Sequence, residues 1–325
     1  MMQKRCFITP VLRPNVAGNN LKRREWPINN EDNVIEMGNI PPAIVIIACE
    51  GDGTASYFQN FVRQSGYPVE TVYLEDRVLV SEFIRDIQIN TYQRNYPGIY
   101  YRGGSTDDSK FNEIMGVMHD LLTFYPGVVI NRPSRLPLNY SKPLQMSAIN
   151  SSKSPVIKAI PTFLTNLRDE ITKFPVEETI VKSISGMRSK VVDLTDQRLQ
   201  HKKDFFDCPV QLQPKLQGIN IRAHVCSEAV YAVRIHTDSV DYRYGEELSM
   251  NLVELPQPIV SWCVQSAKRE GLEFAGIDLL YQEKNDNYWC FEINPMPGYS
   301  YFEQYVIDSG EEPVISKWLL QRLLS

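Results

Sequence analysis

The 325-residue sequence contains no apolar run approaching the roughly 18 residues that a bilayer-crossing helix requires, so no spanning segment is expected. Its first residues lack the continuous apolar core of a signal peptide. Six cysteines (Cys6, Cys49, Cys208, Cys226, Cys263 and Cys290) never fall at C-x-x-C spacing. That excludes zinc ribbons and dithiol redox motifs, and suits reduced thiols in a cytoplasmic protein. His119, His201, His224 and His236 form no zinc-type pair. Positive charge is not in excess, with 34 Lys and Arg against 39 Asp and Glu and a net charge of -5. Nothing in that balance points to nucleic acid. Neither G-x-G-x-x-G nor G-x-x-x-x-G-K-[ST] is present, and there are no low-complexity tracts or internal repeats.

What is present is an ordinary globular composition, 43% hydrophobic and 22% charged, in a chain longer than a single core usually supports. Two or three lobes are therefore expected. Residues 1–40 read as an irregular N-terminal extension, with one basic cluster, Lys22, Arg23 and Arg24. That cluster is expected to meet an acidic peptide or a neighbouring subunit. Residues 41–132 read as a small α/β domain. The apolar run Ala43 to Cys49 suits a buried parallel strand. A helix bearing Tyr57, Phe58, Phe61 and Val62 follows it and stops at Gly66. Further strands fit 69–74, 98–102 and 128–131, and an amphipathic helix fits 107–125. The Gly51-Asp52-Gly53-Thr54 turn has the composition of a phosphate loop but not its spacing. A tight strand-to-helix connection accounts for it better.

Beyond Arg132-Pro133 the pattern changes. Ser141 reads as the N-cap of a helix with proline in its first turn. Residues 176–186 read as a strand carrying Lys182, 205–213 as another strand, and 219–235 as a hairpin about Ser227-Glu228. Residues 258–270 form a helix with Ile259, Trp262, Cys263 and Ala267 on one face, and 312–324 a closing helix. The most telling stretch is Phe274 to Tyr301. Ala275 to Tyr281 and Tyr288 to Ile293 read as a hairpin turning at Asn285-Asp286-Asn287. Alternation puts Glu292 and Asn294 on one face, and a turn centred near Asn285 sets Asp278 opposite Glu292. Two carboxylates on a hairpin are, by themselves, as consistent with a solvated face as with a metal. Their apolar neighbours favour a metal, since acids inside apolar runs are seldom left unpaired. An all-oxygen donor set suits Mg²⁺ completed by water and phosphate. Side by side without a metal, the two carboxylates are expected to repel, so that neutralising either raises stability.

Several segments then recur in a known order. Asn139-Tyr-Ser-Lys-Pro-Leu-Gln145 and Ile160-Pro-Thr-Phe-Leu-Thr-Asn166 come first, followed by Val181-Lys182. Next are Pro209-Val-Gln-Leu-Gln213 through Asn220-Ile-Arg222, and Asp241-Tyr242-Arg243. Last are Gly276-Ile-Asp278 and Phe291-Glu-Ile-Asn-Pro295. From about Asn131 to Glu303 the chain resembles an ATP-grasp ligase of the RimK type, closest in appearance to the graspetide (microviridin-type) peptide macrocyclases. It departs from that pattern at Ile160, at Pro214-Lys215, at Asn220, and in Gly298 to Glu303, where the family carries a tryptophan-bearing segment.

The resemblance implies an α+β ATP-grasp fold behind the N-terminal α/β (pre-ATP-grasp) domain, with a middle lobe at 133–204 and a C-terminal lobe at 205–325. It implies ATP and Mg²⁺ as cofactors. Asp278, Glu292 and Asn294 would hold the metal, and Lys142, Lys182 and the hinge Gln213, Pro214, Lys215 and Leu216 the nucleotide. Arg222 and Arg243 would steady the transferring phosphoryl group or the substrate carboxylate. The implied reaction joins a carboxylate to an amine or hydroxyl through an acylphosphate. The expected substrate is a peptide, or an amino acid as in RimK and glutathione synthetase, with no nucleic-acid or membrane partner. A homodimer remains open, as does a nucleotide-binding regulator that has lost turnover.

Overall fold

The computed structural model describes residues 43–87, 96–104, 109–133, 141–184, 191–195, 208–236 and 249–325. The expected 1–40 extension, with Lys22, Arg23 and Arg24, lies outside the described residues, as do Asn139, Gly186, Asp241 and Arg243.

Strand β1 (Ile44–Ala48) is buried along its whole length, because both of its faces are covered. Ile44, Ile46 and Ala48 pack into one core and Val45 and Ile47 into another. This is why the sequence reads as an unbroken apolar run rather than an alternating one. With β2 (Val69–Tyr73), β3 (Gly98–Gly103) and β4 (Val128–Ile130) it forms a parallel sheet in the order β2-β1-β3-β4. Helices α1 (Gly53–Gln64), α2 (Arg77–Asp86) and α3 (Ser109–Phe124) alternate with these strands. Helix α2 went unread in the sequence, although Asp76 caps it through the amides of Val78 and Leu79.

A second, six-stranded sheet has the order β12-β11-β10-β13-β14-β5. Its strands are β5 (Ile157–Ala159), β10 (Ile219–Cys226), β11 (Ala229–His236), β12 (Ser249–Val253), β13 (Phe274–Gln282) and β14 (Asn287–Asn294). All pairs are antiparallel except β14 with β5. One face packs Ala275, Ile277 and Leu279 against the Ile259, Trp262, Cys263 and Ala267 stripe of a helix at Gln257–Arg269. That stripe is the one the sequence predicts. The opposite face of β13 therefore carries Gly276 and Asp278. A third sheet, antiparallel in the order β6-β9-β7-β8, comprises β6 (Phe163–Thr165), β7 (Thr179–Ser183), β8 (Val191–Asp193) and β9 (Val210–Pro214).

The remaining helices, in chain order, are α4 (Lys142–Ser151), α5 (Arg168–Ile171), α6 (the Gln257–Arg269 helix), α7 (Ser300–Asp308) and α8 (Val314–Leu323). Ser141 caps α4 with its hydroxyl, as expected. The chain's end returns to its beginning: Phe302, Val306, Ile315, Leu319 and Leu323 share a core with Ile44, Ile46 and Phe58. Buried Glu303 joins α7 to α8 by accepting from the amides of Ile315 (2.5 Å) and Ser316 (2.8 Å), which caps α8. No helix among the described residues is long and apolar enough to cross a membrane.

Candidate active site

Register builds the site. Arg222 on β10 lies opposite Asp278 on β13, and Asp278 lies opposite Glu292 on β14. One step along, His224 lies opposite Gly276 and Gly276 opposite Asn294. Directly opposed residues share a face, so three neighbouring strands present two rows of three on the side away from α6. The hairpin turns where the sequence places it, through Glu283–Asn285 with Asp286 left-handed at φ 49°. A bulge between Asp278 and Leu279 leaves Phe291 as an extra residue on β14. The bulge accounts for an aromatic ring and an adjacent carboxylate both meeting lysines, the ring of Phe291 under Lys182 and Glu292 beside Lys142.

Each carboxylate has its own cation. Arg222 donates to Asp278 at 2.6 Å, and the Lys142 ammonium stands 3.6 Å from Glu292. The sequence expectation weighed the two carboxylates alone; the structure adds an opposite charge beside each, Arg222 for Asp278 and Lys142 for Glu292. Gly276 makes this packing feasible. A Cβ there would lie 2.6 Å from both the Arg222 guanidinium and the Pro297 ring, so a side chain would expel one of them. Asn294 accepts from the amide of Met296 at 2.8 Å through its side-chain oxygen, which keeps a second lone pair. Among the described residues no three His, Cys, Asp or Glu side chains cluster, so an amide oxygen has to complete any metal set here.

The third sheet supplies the facing wall. Lys182 on β7 lies opposite Gln211 on β9, and its ammonium sits 4.6 Å above the ring of Phe291. The backbone amide of Lys142 donates to the Ile184 carbonyl, which ties the start of α4 to the strand that carries Lys182. Gln211 and Gln213 are buried on the Lys182 face, while Val210 and Leu212 pack away from it with Ile171 and Val181. Gln213 donates to Thr162 Oγ1 at 2.9 Å and Gln211 to the Ser183 carbonyl at 2.9 Å. The Oε1 atoms of both glutamines are buried without a hydrogen-bond partner among the described residues. Of the rest of the predicted hinge, Pro214 pairs with Thr179, Lys215 reaches Asp193 at 3.0 Å, and Leu216 is half-buried. Arg243 lies outside the described residues, so only one of the two predicted arginines is placed.

Two further groups, one in the second row of the patch and one linked to it through Arg102 and the Pro297 carbonyl, were given no role by sequence reasoning. His224 is fully buried, and its Nε2 donates to the Gly298 carbonyl at 3.3 Å. Burial, aided by the nearby Arg222 charge, pushes its pKa down to about 3, so the ring is neutral. The other is Asp52, from the glycine-rich turn. Its carboxylate accepts from the amides of Thr54 and Ala55 at 2.9 Å each and pairs with Arg102 at 2.6 Å. The N-terminus of α1 thus already holds an anion of the chain's own, which supports the reading of that turn as a connection rather than a phosphate loop.

No protein-family model matches the sequence, and no curated protein matches it either. Solved structures do. The ATP-grasp ligase PsnB, complexed with a phosphomimetic variant of its minimal precursor, Mg and ADP, superposes with a TM-score of 0.64 at 20% identity, over 87% of this chain and 100% of that one. The macrocyclase MdnC bound with precursor peptide MdnA, from Microcystis aeruginosa MRC, gives 0.63 at 14% identity over 87% and 99%. The D-alanine–D-alanine ligase of Bacillus anthracis, complexed with ATP, gives 0.62 at 13% identity over 87% and 98%. The chain therefore has the ATP-grasp fold, an α+β architecture with an N-terminal α/β domain, as its motif order implies.

Proposed function

We propose that this ATP-grasp chain is an ATP- and Mg²⁺-dependent carboxylate ligase that modifies a peptide, forming an amide or ester bond through an acylphosphate. One observation carries the reading. Two carboxylates and an amide oxygen stand on adjacent strands, with Arg222, Lys142 and Lys182 gathered against the same hairpin. A purely structural hairpin has no use for a cation on each of two acids and a third on the ring between them in sequence.

The donor set fits a hard cation: Asp278, Glu292 and Asn294 offer only oxygen. Bound there, Mg²⁺ would neutralise phosphate charge and align the transferring phosphoryl group. Lys142 and Lys182 would attract the phosphates, and Arg222 would offer its fork to the oxygens that gain charge. The Gln211 and Gln213 face of the third sheet is assigned to the nucleotide base, whose amino group would satisfy a buried glutamine oxygen. Residues 133–204 and 205–325 are assigned as the two clamping lobes and 41–132 as the domain before them, with β9 joining the sheet of the first lobe and β5 that of the second. Arg243 is assigned to the substrate carboxylate on its sequence pattern alone.

The peptide substrate is inferred from PsnB and MdnC, both seen with precursor peptides. The likeness to D-alanine–D-alanine ligase supports a second reading, ligation of free amino acids. The five described cysteines are all free, and three are buried, which accords with a cytoplasmic enzyme. Incubation with ATP, Mg²⁺ and candidate carboxylate-bearing peptides should release ADP, yield a hydroxamate when hydroxylamine is added, and give a product lighter by one water per bond. A stable phosphoester product, or ADP release without any new bond, would refute the ligase assignment.

A further inference from the structure

The strand that ends in Asn294 runs into a loop, Pro295 to Gly298, whose carbonyls are captured from outside the hairpin. Arg102, near the carboxyl end of β3, donates to the Pro297 carbonyl at 3.0 Å. Its guanidinium is fixed by Asp52 at 2.6 Å and by Tyr100 Oη at 2.9 Å. Asn131, just past β4, is 3% exposed and uses its whole amide group. Its Nδ2 donates to the carbonyls of Pro295 (2.6 Å) and Phe274 (2.5 Å), and its Oδ1 accepts from the amides of Glu273 and Phe274. One side chain therefore clasps the first residue of β13 and the residue that follows Asn294. A backbone carbonyl buried between sheets needs such a partner, and a side chain that supplies it also fixes where the loop runs.

We propose that Arg102 and Asn131 of the first sheet are positioning residues for the metal ligands, acting through the Pro295–Gly298 loop. This rests on the metal assignment made above. Neither residue touches the proposed ligands. Asn131 sets the spacing between the strand that bears Asp278 and the end of the strand that bears Glu292 and Asn294. Arg102 holds the far side of the turn whose Met296 amide Asn294 caps. The first domain would thus contribute to the metal's geometry, and the lobes that carry the ligands would not suffice alone. Groups of this kind, one bond removed from the ligands, typically change metal affinity by about ten- to a hundredfold.

The test is Mn²⁺ titration followed by electron paramagnetic resonance in the presence of ADP, on the full chain. Arg102→Lys keeps the charge beside Asp52 but ends one bond short of the Nη1 atom that serves both Tyr100 and Pro297; Asn131→Ser is shorter and loses the donor pair. Both should bind Mn²⁺ about tenfold more weakly or worse while binding ADP without metal as the wild type does. Arg322→Gln serves as the control. It breaks the Arg322–Glu273 bridge (2.5 Å) at the start of the same hairpin without touching a loop carbonyl. Its Mn²⁺ affinity should be unchanged. Wild-type Mn²⁺ affinity in Arg102→Lys would overturn the inference even if Asn131→Ser does not fold, and so would equal weakening in Arg322→Gln. Glu292→Gln separates the two levels: wild-type Mn²⁺ binding by that variant would remove the metal site itself, whereas loss of binding there with intact Arg102→Lys affinity would remove only the positioning role.

Discussion

Asp278→Asn and Glu292→Gln are a matched pair of perturbations with different expected effects on the fold and the same expected effect on chemistry. Both keep volume and remove one charge. Asp278 pairs at 2.6 Å with Arg222, whose side chain is only 6% exposed. Removing the charged partner of a buried ion pair costs about 3–5 kcal/mol, but asparagine retains an oxygen that still accepts from the guanidinium, which brings the expected cost to about 2 kcal/mol. For a chain of this size that corresponds to a melting temperature lower by about 3 °C. Glu292 meets Lys142 at 3.6 Å with both side chains partly exposed, a looser pair whose loss should cost under about 1 kcal/mol. Neither variant should be stabilised, which is the reverse of what two unpaired neighbouring carboxylates would give. With saturating ATP and Mg²⁺, each should lose the charge stabilisation that a metal ligand provides, several kcal/mol and hence at least about a hundredfold in ADP formation. The assays are calorimetric melting without metal and coupled ADP release with a ligatable peptide. Near-normal turnover from either variant would show the hairpin to be structural. A rise in melting temperature for Asp278→Asn would refute the ion-pair reasoning on its own.

Lys142→Ala and Lys182→Ala should each weaken ATP binding by calorimetry while remaining folded, since both ammonium groups lie against the same hairpin; unchanged affinity in both would remove the third-sheet face from the nucleotide site. The pH dependence of stability should carry the signature of His224. Its folded pKa, about 3, is below the ordinary imidazole value of 6.5. The unfolded chain therefore takes up a proton first as pH falls, and stability is lost from about pH 6.5 downward toward pH 3. Between pH 7.5 and 5 this amounts to about 2 kcal/mol, which denaturant titration of the wild type should show and His224→Gln should lack. Identical pH profiles for the two would mean that His224 is not held neutral.

Local pattern was enough wherever one element's chemistry decides its shape. The unbroken run 44–48, the Ser141 cap, the stripe on α6 and the turn at Asp286 were all legible, because burial on two faces, capping, helical period and turn chemistry each act over a few residues. The opposition of Asp278 to Glu292 was legible too, since a short hairpin turn sets register. Other elements read less clearly. Helix α2 opens with Val78-Leu79-Val80, a short apolar run that suits a strand, and α7 opens with aromatics that suit one too; packing of Val80 and Phe83, and of Phe302 and Val306, decides both as helices.

The sequence by itself determined the proposed donor set: two carboxylates and an amide oxygen on one hairpin, with lysines and arginines spaced along the chain in a recognisable order. It could not determine which cation meets which acid. Arg222 reaches Asp278 from the next strand, and Lys142 reaches Glu292 from a helix 150 positions earlier. Nor could it show that Asp52 already occupies the N-terminus of α1, or that Arg102 and Asn131 hold the loop after Asn294. Those contacts join segments from different sheets. The tertiary structure alone decides them, because a hydrogen bond between distant segments depends on how whole layers stack, and no local periodicity records that.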